Sequence, residues 1–401
     1  MNHWQYECLR MLAAPHNNFF AVGDDDQSVY GFRGAQPAFL LGFAQDYPDA
    51  AVVKLETNYR SSAAVVSLAN ALIQGNVVRS QKVMESAGAT GINPIVAHPL
   101  NPHAEAQWIA EKIISLQKEN PEEEIAVIFR MHIQAQAIMD ALIRRHIPFS
   151  AREALPNLYT HWIARDIAAY FQLALNRLDD AALARIIHRP SRYIYKEAVS
   201  RSMGNPAGAL ESLYDSPLLN RRHFESLDGL TFHLNAISRR NAYDAIRFLR
   251  EGIGYDDFLR SYAAHKQIDA HSFIETTDAL QEAARGFDNL TDWLAHAAES
   301  ANTSQSIAAA AKPSKQNVTL TTMHSAKGLE FDAVFVAGAV EGIIPHKDCF
   351  ENIDEERRLL YVAMTRARQR LYISVYRECK QVSVEPSRFI EPFMADAAGP
   401  L

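Results

Sequence analysis

Short, mainly apolar runs, several of which end in a polar cluster, are the feature that most restricts the fold of this 401-residue sequence. Residues 19–22 and 51–55 are two such runs, and residues 125–129, 333–336 and 371–375 are three more. A strand that is apolar on both faces is typical of a parallel sheet covered by helices. Stretches with helical periodicity separate the runs, so the sequence predicts an α/β fold.

Composition excludes several other classes of protein. The chain has 48% hydrophobic and 22% charged residues, which rules out collagen-like, coiled-coil and wholly disordered chains. Its three cysteines are far apart, so neither a disulfide scaffold nor a four-cysteine metal centre is expected. No apolar run reaches the about 20 residues that span a bilayer, and no secretory signal is present, so we expect a cytoplasmic protein without membrane contact. A net charge of −7 argues weakly against bulk coating of nucleic acid.

The character of the sequence changes twice along the chain. Strand-like runs disappear between about residues 155 and 300, where helical periodicity dominates, and they return at residues 318–321. Residues 301–315 are rich in Ala, Ser and Lys and predict a linker. The economical interpretation is one α/β domain that is split by a helical insertion and preceded by the remnant of another α/β domain.

Four polar clusters lie at or near the carboxyl ends of predicted strands, where parallel sheets bind ligands, or on the adjacent helix. They are residues 23–35, 55–61, 321–331 and 355–367. In this order they resemble motifs III, IV, V and VI of the UvrD/Rep-type superfamily 1 DNA helicases. A match over the 13 residues of the first cluster, with three more in register, is far more specific than a lone glycine motif.

This resemblance implies a RecA-like P-loop NTPase fold. Residues 1–60 would be the C-terminal remnant of a first RecA-like domain, and residues 61–175 with 314–395 would form a second, complete one. Residues 176–313 would be the inserted helical domain. The family also implies 3′–5′ translocation on single-stranded DNA and duplex unwinding in repair or recombination. Its substrates would be single strands and single-strand/duplex junctions, with ATP and Mg²⁺ as cofactors.

The nucleotide-side roles also follow from the resemblance. Tyr59 would stack on the adenine, and Arg60 would reach the γ-phosphate. Gln27 would sense the γ-phosphate and its attacking water, and Glu330 would accept from the ribose hydroxyl. Arg366 would be a second arginine finger. Independently, Arg366 continues an apolar helical stripe, where an arginine needs either a phosphate or a structural carboxylate as its partner.

The predicted DNA contacts combine aromatic and basic side chains. Tyr30, Phe32 and Arg33 lie on a glycine-flanked loop. Stacking of bases on rings contributes ~1–3 kcal/mol per base whatever the sequence, which suits a translocase. Core packing is the alternative for Phe32. The resemblance places Thr322 and His324 against DNA phosphates, although His324 by itself would be an ordinary loop histidine.

Two further clusters are not interpreted as metal sites. The carboxylates of residues 24–26 lie in a loop, where such groups are usually solvated, and the family takes its Mg²⁺ ligands from other motifs. His98, His103 and Glu105 lie in a predicted loop and lack a fourth ligand.

Two parts of the family pattern are missing from this sequence. The P-loop pattern G-x-x-x-x-G-K-[ST] does not occur, and the Walker B carboxylates that hold Mg²⁺ would fall upstream of Met1. We therefore expect the chain to be the C-terminal part of a helicase (a truncation, a split gene product or a cloned fragment) that cannot hydrolyse ATP without an N-terminal segment in cis or in trans. The family's Gly-Ile-Gly turn, which holds duplex DNA, is replaced by Tyr-Ile-Tyr at residues 193–195.

Three interpretations of the chain remain open. The first is the helicase part just described. The second is a non-catalytic module that binds single-stranded DNA or a repair partner through Tyr30, Phe32 and residues 321–331. The third is a product without a separate role. Affinity for DNA in the absence of nucleotide tests the second interpretation, and its salt dependence shows whether phosphates are neutralised.

Overall fold

The computed structural model describes residues 1–14, 16–88, 90–153, 155, 157–309, 318–379 and 382–394. The chain divides into two compact units, one formed by Met1–Leu155 with Ala310–Leu401 and the other by Pro156–Ala309. Among the described residues, no helix has both the length and the apolar character that crossing a membrane requires.

Helices alternate with strands in the first unit and occupy most of the second. In chain order the helices are α1 (His3–Ala13), α2 (Ala38–Leu41), α3 (Phe43–Asp46), α4 (Ala63–Ile73), α5 (Pro102–Glu119), α6 (His132–Arg144), α7 (Trp162–Leu175), α8 (Asp180–Ile186), α9 (Lys196–Ser202), α10 (Ala209–Ser212), α11 (Arg221–Ile237), α12 (Ala242–Glu251), α13 (Tyr255–Lys266), α14 (His271–Ala283), α15 (Leu290–Ala309) and α16 (Ile353–Met364).

The strands belong to the first unit. They are β1 (Thr57–Asn58), β2 (Glu85–Ser86), β3 (Ile95–Ala97), β4 (Ile125–Phe129), β5 (Phe149–Ala151), β6 (Val318–Thr322), β7 (Phe331–Val336), β8 (Ala367–Ser374), β9 (Glu378–Cys379) and β10 (Val382–Ser383).

A six-stranded sheet organises the first unit. Its strand order is β3-β8-β7-β4-β6-β5, and every neighbouring pair is parallel. Helices cover both faces, because Val65 of α4 and Leu359 of α16 share a buried cluster with Ile128, whereas Trp108 of α5 contacts the ring of Phe335 on the other face. The predicted α/β class with a parallel sheet is confirmed, and burial on both faces explains the continuous apolar runs.

Two of the predicted strands are absent. Residues 19–22 and 51–55 belong to no helix or strand and pair with no strand among the described residues, and they are largely exposed: Phe20 is 87% and Val53 79% accessible. Both have the same apolar pattern as β4. A strand needs a hydrogen-bonded neighbour as well as apolar side chains, and the described chain supplies none here.

The helical unit differs from the predicted inserted domain in its bounds. It begins at residue 156 rather than 176, because Ile163, Ile167 and Tyr170 of α7 are buried in the core of the helical unit. Helix α15 runs to Ala309, so residues 301–309 are helical rather than the start of a linker. Residues 310–315 of the predicted linker, and the predicted boundary at 313/314, lie outside the described residues.

Helix α4 follows one of the predicted motifs and begins without a side-chain cap. Ser62 occupies the N-cap position, but its hydroxyl accepts no hydrogen bond from the helix. The preceding turn is instead held by Asn58, whose side-chain oxygen accepts from the backbone N–H groups of Arg60 and Ser61 at 2.8 and 2.9 Å. This turn fixes the backbone that carries Arg60.

Candidate nucleic-acid interface and nucleotide-side residues

The carboxyl ends of β4 and β6 open into a polar cleft of about 450 Å³. Thr322 is the last residue of β6, and Arg130 directly follows β4. The two strands are parallel neighbours, so polar residues after them meet at one edge of the sheet. The cleft is lined by Tyr30, Phe32, Arg33, Arg130, Met131, His132, Glu153, Thr322, His324 and Ser325.

Aromatic and basic groups converge at this cleft from distant parts of the sequence. The Tyr30 hydroxyl donates to the backbone oxygen of His324 at 3.3 Å, and the Phe32 ring meets the His324 ring edge-on with centroids 5.5 Å apart. The Arg33 guanidinium lies 5.4 Å from the Phe32 ring centre. Phe32 itself is 68% exposed, so the core-packing alternative is wrong, and its ring has a free face for a base.

The segment after β6 holds Thr322 and His324 in different environments. Thr322 is buried, its N–H donates to Glu153 Oε1 at 3.0 Å, and its hydroxyl accepts from the N–H of Ser325. Burial, followed by the nearby charge of Arg130, lowers the pKa of His324. The imidazole is therefore largely neutral near pH 7 and can accept or donate one hydrogen bond at each nitrogen.

Arg130, His132 and Glu153 line the cleft and were not singled out from the sequence. Arg130 is held by a bidentate contact with Glu356 of α16, at 3.2 and 2.9 Å. The signal that could have identified Arg130 and His132 was present, because both directly follow the buried run of β4. Glu153 gives no such signal, since it reaches the cleft through the pairing of β5 with β6.

Glu330 and Arg366, two of the predicted nucleotide-side residues, lie at the opposite end of the sheet. Glu330 immediately precedes β7, and Arg366 immediately precedes β8. From the sequence, the clusters at residues 321–331 and 355–367 were placed at or near the carboxyl ends of strands or on the adjacent helix. For Glu330 this placement is wrong. The physical reason is that β7 begins at Phe331, where its pairing with β8 starts, so the preceding residue is at an amino end.

Ion pairs occupy this amino end. Arg60 Nε donates to Glu330 Oε2 at 2.7 Å, and Arg368 donates to Glu330 Oε1 at 2.9 Å. Arg368 also pairs with Glu124 and Asp332. Hydrogen bonds from Arg60, and then from Arg368, lower the pKa of Glu330. In this conformation Arg60 and Glu330 therefore satisfy each other.

Tyr59 stands apart from these ion pairs. It is 85% exposed, which leaves its ring available to a planar ligand.

Arg366 is the exception at this end, because it makes no direct ion pair with a described carboxylate, although Glu330 and Asp24 act on it at longer range. It is 1% exposed and donates only to neutral acceptors: the backbone oxygens of Val362 and Leu329 at 2.9 and 3.1 Å, and the Thr365 hydroxyl at 3.2 Å. It forms no ion pair with any carboxylate in the described part of the chain. Burial, followed by the charge of Arg60, lowers the pKa of Arg366 to about 10. The structural-carboxylate alternative for Arg366 is thus not observed.

Gln27 lies in a short 3₁₀ turn, Asp25–Gln27. Its side-chain amide donates to Asp24 Oδ2 at 2.6 Å, and its backbone oxygen accepts from Lys327 Nζ at 2.8 Å. Within the described ranges, residues 24–26 are the group with metal-binding geometry, but Arg79 and Lys82 already pair with these carboxylates. The interpretation that they hold no Mg²⁺ remains a prediction.

In the helical unit, the turn that replaces Gly-Ile-Gly has an unusual backbone. Tyr193 has a φ of 57° and is 82% exposed, although glycine is the residue that this conformation favours. The preceding Arg192 is buried and donates to the Ile186 backbone oxygen at 2.9 Å and to the Tyr170 hydroxyl. Arg192 therefore holds the turn from inside, and only tyrosine side chains of the turn face solvent.

Comparison with protein families accounts for this arrangement. Residues 53–378 match the UvrD-like helicase C-terminal domain, and residues 1–48 match the UvrD/REP helicase N-terminal domain. The chain belongs to the UvrD-like helicase family. The predicted resemblance to UvrD/Rep-type superfamily 1 helicases is thereby confirmed.

Named relatives agree with this assignment. The chain is 32% identical to DNA helicase II of Escherichia coli over 97% of its length, covering 57% of that protein. It is 31% identical to DNA helicase II of Rickettsia typhi over 96% of its length, covering 61% of that protein. The Rep ATP-dependent DNA helicase of Escherichia coli is 29% identical over 97% of the chain, which again covers 61% of the relative. The chain therefore spans roughly three fifths of each of these UvrD-like helicases.

Proposed function

We propose that this chain is the C-terminal part of an ATP-dependent 3′–5′ DNA helicase of the UvrD/Rep type. It supplies the single-stranded DNA cleft and two arginines to an ATPase whose P-loop and Walker B residues belong to an N-terminal segment. It comprises a RecA-like domain, its helical insertion and the end of a first RecA-like domain. By itself it binds single-stranded DNA and does not hydrolyse ATP.

The observation that carries the DNA part is the cleft at the carboxyl ends of β4 and β6. Tyr30 and Phe32 come from the first cluster, while Thr322 and His324 come from a segment almost 300 positions later, and they form one wall. An exposed ring beside Arg33 supplies stacking and positive charge without reading base edges. This is the chemistry that movement along any sequence requires.

Arg366 supports the ATP part of the proposal. A buried arginine whose hydrogen bonds go only to neutral oxygens has no carboxylate in direct contact and can accept an anionic partner. The γ-phosphate of ATP is an anion of the right kind, and charge that develops during phosphoryl transfer is stabilised by such a group. Tyr59 and Glu330 would contact the base and ribose, Gln27 would position water, and ATP would bind together with Mg²⁺ held by the other segment.

The exposed runs at residues 19–22 and 51–55 support the need for a further segment. Phe20, Val22 and Val53 expose apolar side chains, and the surrounding backbone has no strand partner among the described residues. An extended apolar segment of this kind is a template for strand addition. We infer that the P-loop segment, in cis or in trans, covers these runs.

The test is DNA-stimulated ATP hydrolysis by the chain alone and by the chain copurified with a polypeptide that contains a UvrD-like P-loop and Walker B segment. We expect no hydrolysis by the chain alone. We expect activity in the complex that Arg366→Ala lowers by about a hundredfold or more, while the exposed control Arg145→Ala leaves it intact. DNA-stimulated hydrolysis by the chain alone that is lost on Arg366→Ala would overturn the proposal.

A second candidate function is a non-catalytic module that binds single-stranded DNA. The observation that favours it is the pairing of Arg60 with Glu330 and of Glu330 with Arg368, which satisfies these three side chains without nucleotide. In the same assay, this alternative predicts DNA binding by the chain and no ATPase after addition of the P-loop polypeptide.

A further inference from the structure

Residues 79–82 wrap around the acidic turn that begins the first motif cluster. Arg79 makes a bidentate contact with Asp26, at 3.0 and 2.7 Å. The backbone N–H and hydroxyl of Ser80 both donate to Asp25, at 2.7 and 2.6 Å. Lys82 lies 2.5, 2.8 and 3.3 Å from oxygens of Asp24, Asp25 and Asp26. We call residues 79–82 the clasp.

These contacts are largely removed from solvent. The side chains of Arg79 and Lys82 are 12% and 13% exposed, and those of Asp25 and Asp26 are 3% and 1% exposed. Although burial alone would lower the pKa of Lys82, hydrogen bonds to Asp24 and Asp25 raise it. Although burial opposes the change, hydrogen bonds from Lys82 and Ser80 lower the pKa of Asp25. Removing one partner from such a buried network leaves uncompensated charge.

Helix α16 contacts both the segment that precedes the clasp and the loop that follows the acidic turn. Just before the clasp, the Asn76 amide donates to the Asp354 backbone oxygen at 2.9 Å. Further along the loop, the N–H of Gly31 donates to Glu355 Oε1 at 2.7 Å. The clasp therefore holds the start of the loop at residues 24–26, and α16 holds it at Gly31. Tyr30 and Phe32 are the neighbours of Gly31 in the chain.

The clasp sets the orientation of the Gln27 side chain as well. A carboxylate only accepts hydrogen bonds, so the Gln27 group that meets Asp24 Oδ2 at 2.6 Å is the amide N–H₂. The amide oxygen consequently faces away from Asp24, where it can accept from a water hydrogen. Lys82 holds the other oxygen of Asp24 and so fixes the partner of Gln27.

We propose that the clasp positions the loop from Asp24 to Arg33. It thereby orients the Tyr30 and Phe32 rings for stacking on DNA bases and the Gln27 amide for the nucleotide. Arg79 and Lys82 act through the loop and touch neither ligand. The Lys82 ammonium donates to Asp24 and Asp25 and also lies 3.3 Å from Asp26, so its charge is neutralised within the acidic turn rather than by a DNA phosphate. This inference rests on the proposed function, because it assumes that the loop binds single-stranded DNA.

The test compares the intact chain with Lys82→Met, which keeps the length of the side chain and removes its charge. Lys82→Arg preserves the charge, and Lys118→Met removes an exposed charge at the end of α5, on the amino side of the sheet. Binding to an oligo-dT strand with one 2-aminopurine base is followed by anisotropy at several salt concentrations. The fluorescence of 2-aminopurine at saturation reports whether the base is stacked, separately from affinity.

For Lys82→Met we expect an about tenfold weaker affinity, loss of at least half of the stacking-dependent quenching at saturation, and an unchanged salt slope. Lys82→Arg should restore most of the quenching, and Lys118→Met should behave like the intact chain. A salt slope lower in magnitude by about 0.7 would show that Lys82 neutralises a phosphate directly and would overturn the proposal. Wild-type affinity and quenching in Lys82→Met would also overturn it.

Circular dichroism establishes that each variant is folded. If Lys82→Met does not fold, Asp24→Ala decides the question, because Asp24 is partly exposed and the alanine removes the acceptor of Gln27. An about threefold or greater loss of affinity with reduced quenching supports the clasp, and unchanged binding contradicts it. If the intact chain itself binds no DNA, the proposed function fails together with the clasp. If the intact chain binds and the variants match it, only the clasp fails.

Discussion

The two ends of the parallel sheet differ in whether their functional side chains face an open cleft or pair with one another. At the carboxyl end, Phe32 and His324 face an open cleft beside Arg33. At the amino end, Arg60 and Arg368 both pair with Glu330, so charged groups there mainly satisfy one another. The carboxyl end thus has the form of a binding surface as it stands. On the proposed function, a nucleotide at the amino end would have to separate these ion pairs, whereas Arg366 there is held by hydrogen bonds to neutral oxygens.

The largest effect expected at the carboxyl end concerns a buried carboxyl group. Glu105 of α5 accepts from the N–H of Gly338 at 2.8 Å, and burial raises its pKa to about 7. The folded state therefore holds this proton over a range, from about pH 4.5 to 7, where the unfolded state releases it. Stability should fall as the pH rises through this range, by on the order of 3 kcal/mol, and then level off.

Glu105→Gln checks this expectation, because the amide keeps an acceptor for Gly338 and cannot ionise. Urea unfolding at pH 5 and pH 8 should show a smaller difference for the variant than for the intact chain. Glu122→Gln, which neutralises an exposed carboxylate, serves as the control. Equal differences for Glu105→Gln and the intact chain would show that this carboxyl group is not responsible.

The next prediction compares how substitutions at the two ends of the sheet change the affinity for single-stranded DNA. Phe32→Ala should weaken binding of single-stranded DNA by about five- to a hundredfold, because one stacked base is lost. Phe232 is equally exposed, at 68%, but lies in the helical unit, so Phe232→Ala is a matched control that should retain affinity. Arg60→Ala should change affinity by less than about threefold. If Arg60→Ala were as harmful as Phe32→Ala, the distinction between the two ends would be wrong.

A smaller effect is expected from the ion pairs of the amino end. Arg368 contacts Glu124, Glu330 and Asp332, but it is 32% exposed, so solvent screens much of the interaction. Arg368→Ala should lower stability by about 1 kcal/mol, and less at high salt. The isolated surface pair of Arg145 with Glu111 provides the comparison, and Arg145→Ala should cost about half as much or less. If denaturant unfolding showed that Arg368→Ala and Arg145→Ala lower the stability equally, the ion pairs of Arg368 would not form a cooperative cluster.

Sequence patterns identified the sheet where a strand and its partner were both present. Residues 125–129 were predicted as a buried strand, and β4 has the same bounds. Residues 51–55 have a similar apolar pattern but remain exposed, because a local pattern does not reveal whether a neighbouring strand exists. The motif order identified Tyr30, Phe32 and His324, and the structure brings them together.

Pairings between distant residues could not be read from the sequence. Arg60 meets Glu330 across 270 positions, and Lys82 meets Asp24 across 58, with nothing local to mark either partner. The acidic cluster at residues 24–26 was predicted to be solvated, yet Asp25 and Asp26 are buried under cations. Burial depends on which segments fold over a loop, and that information is not contained in the loop itself.

The most direct test of the contrast between the two ends is the affinity of the intact chain for a labelled oligo-dT strand, measured by anisotropy with and without ATP and Mg²⁺. The account predicts binding with a negative salt slope, a dissociation constant that ATP changes by less than about twofold, and no release of phosphate. Absence of binding at about 50 mM salt would contradict the open cleft. A strong shift in affinity with ATP, or DNA-stimulated hydrolysis, would contradict an amino end that depends on another segment.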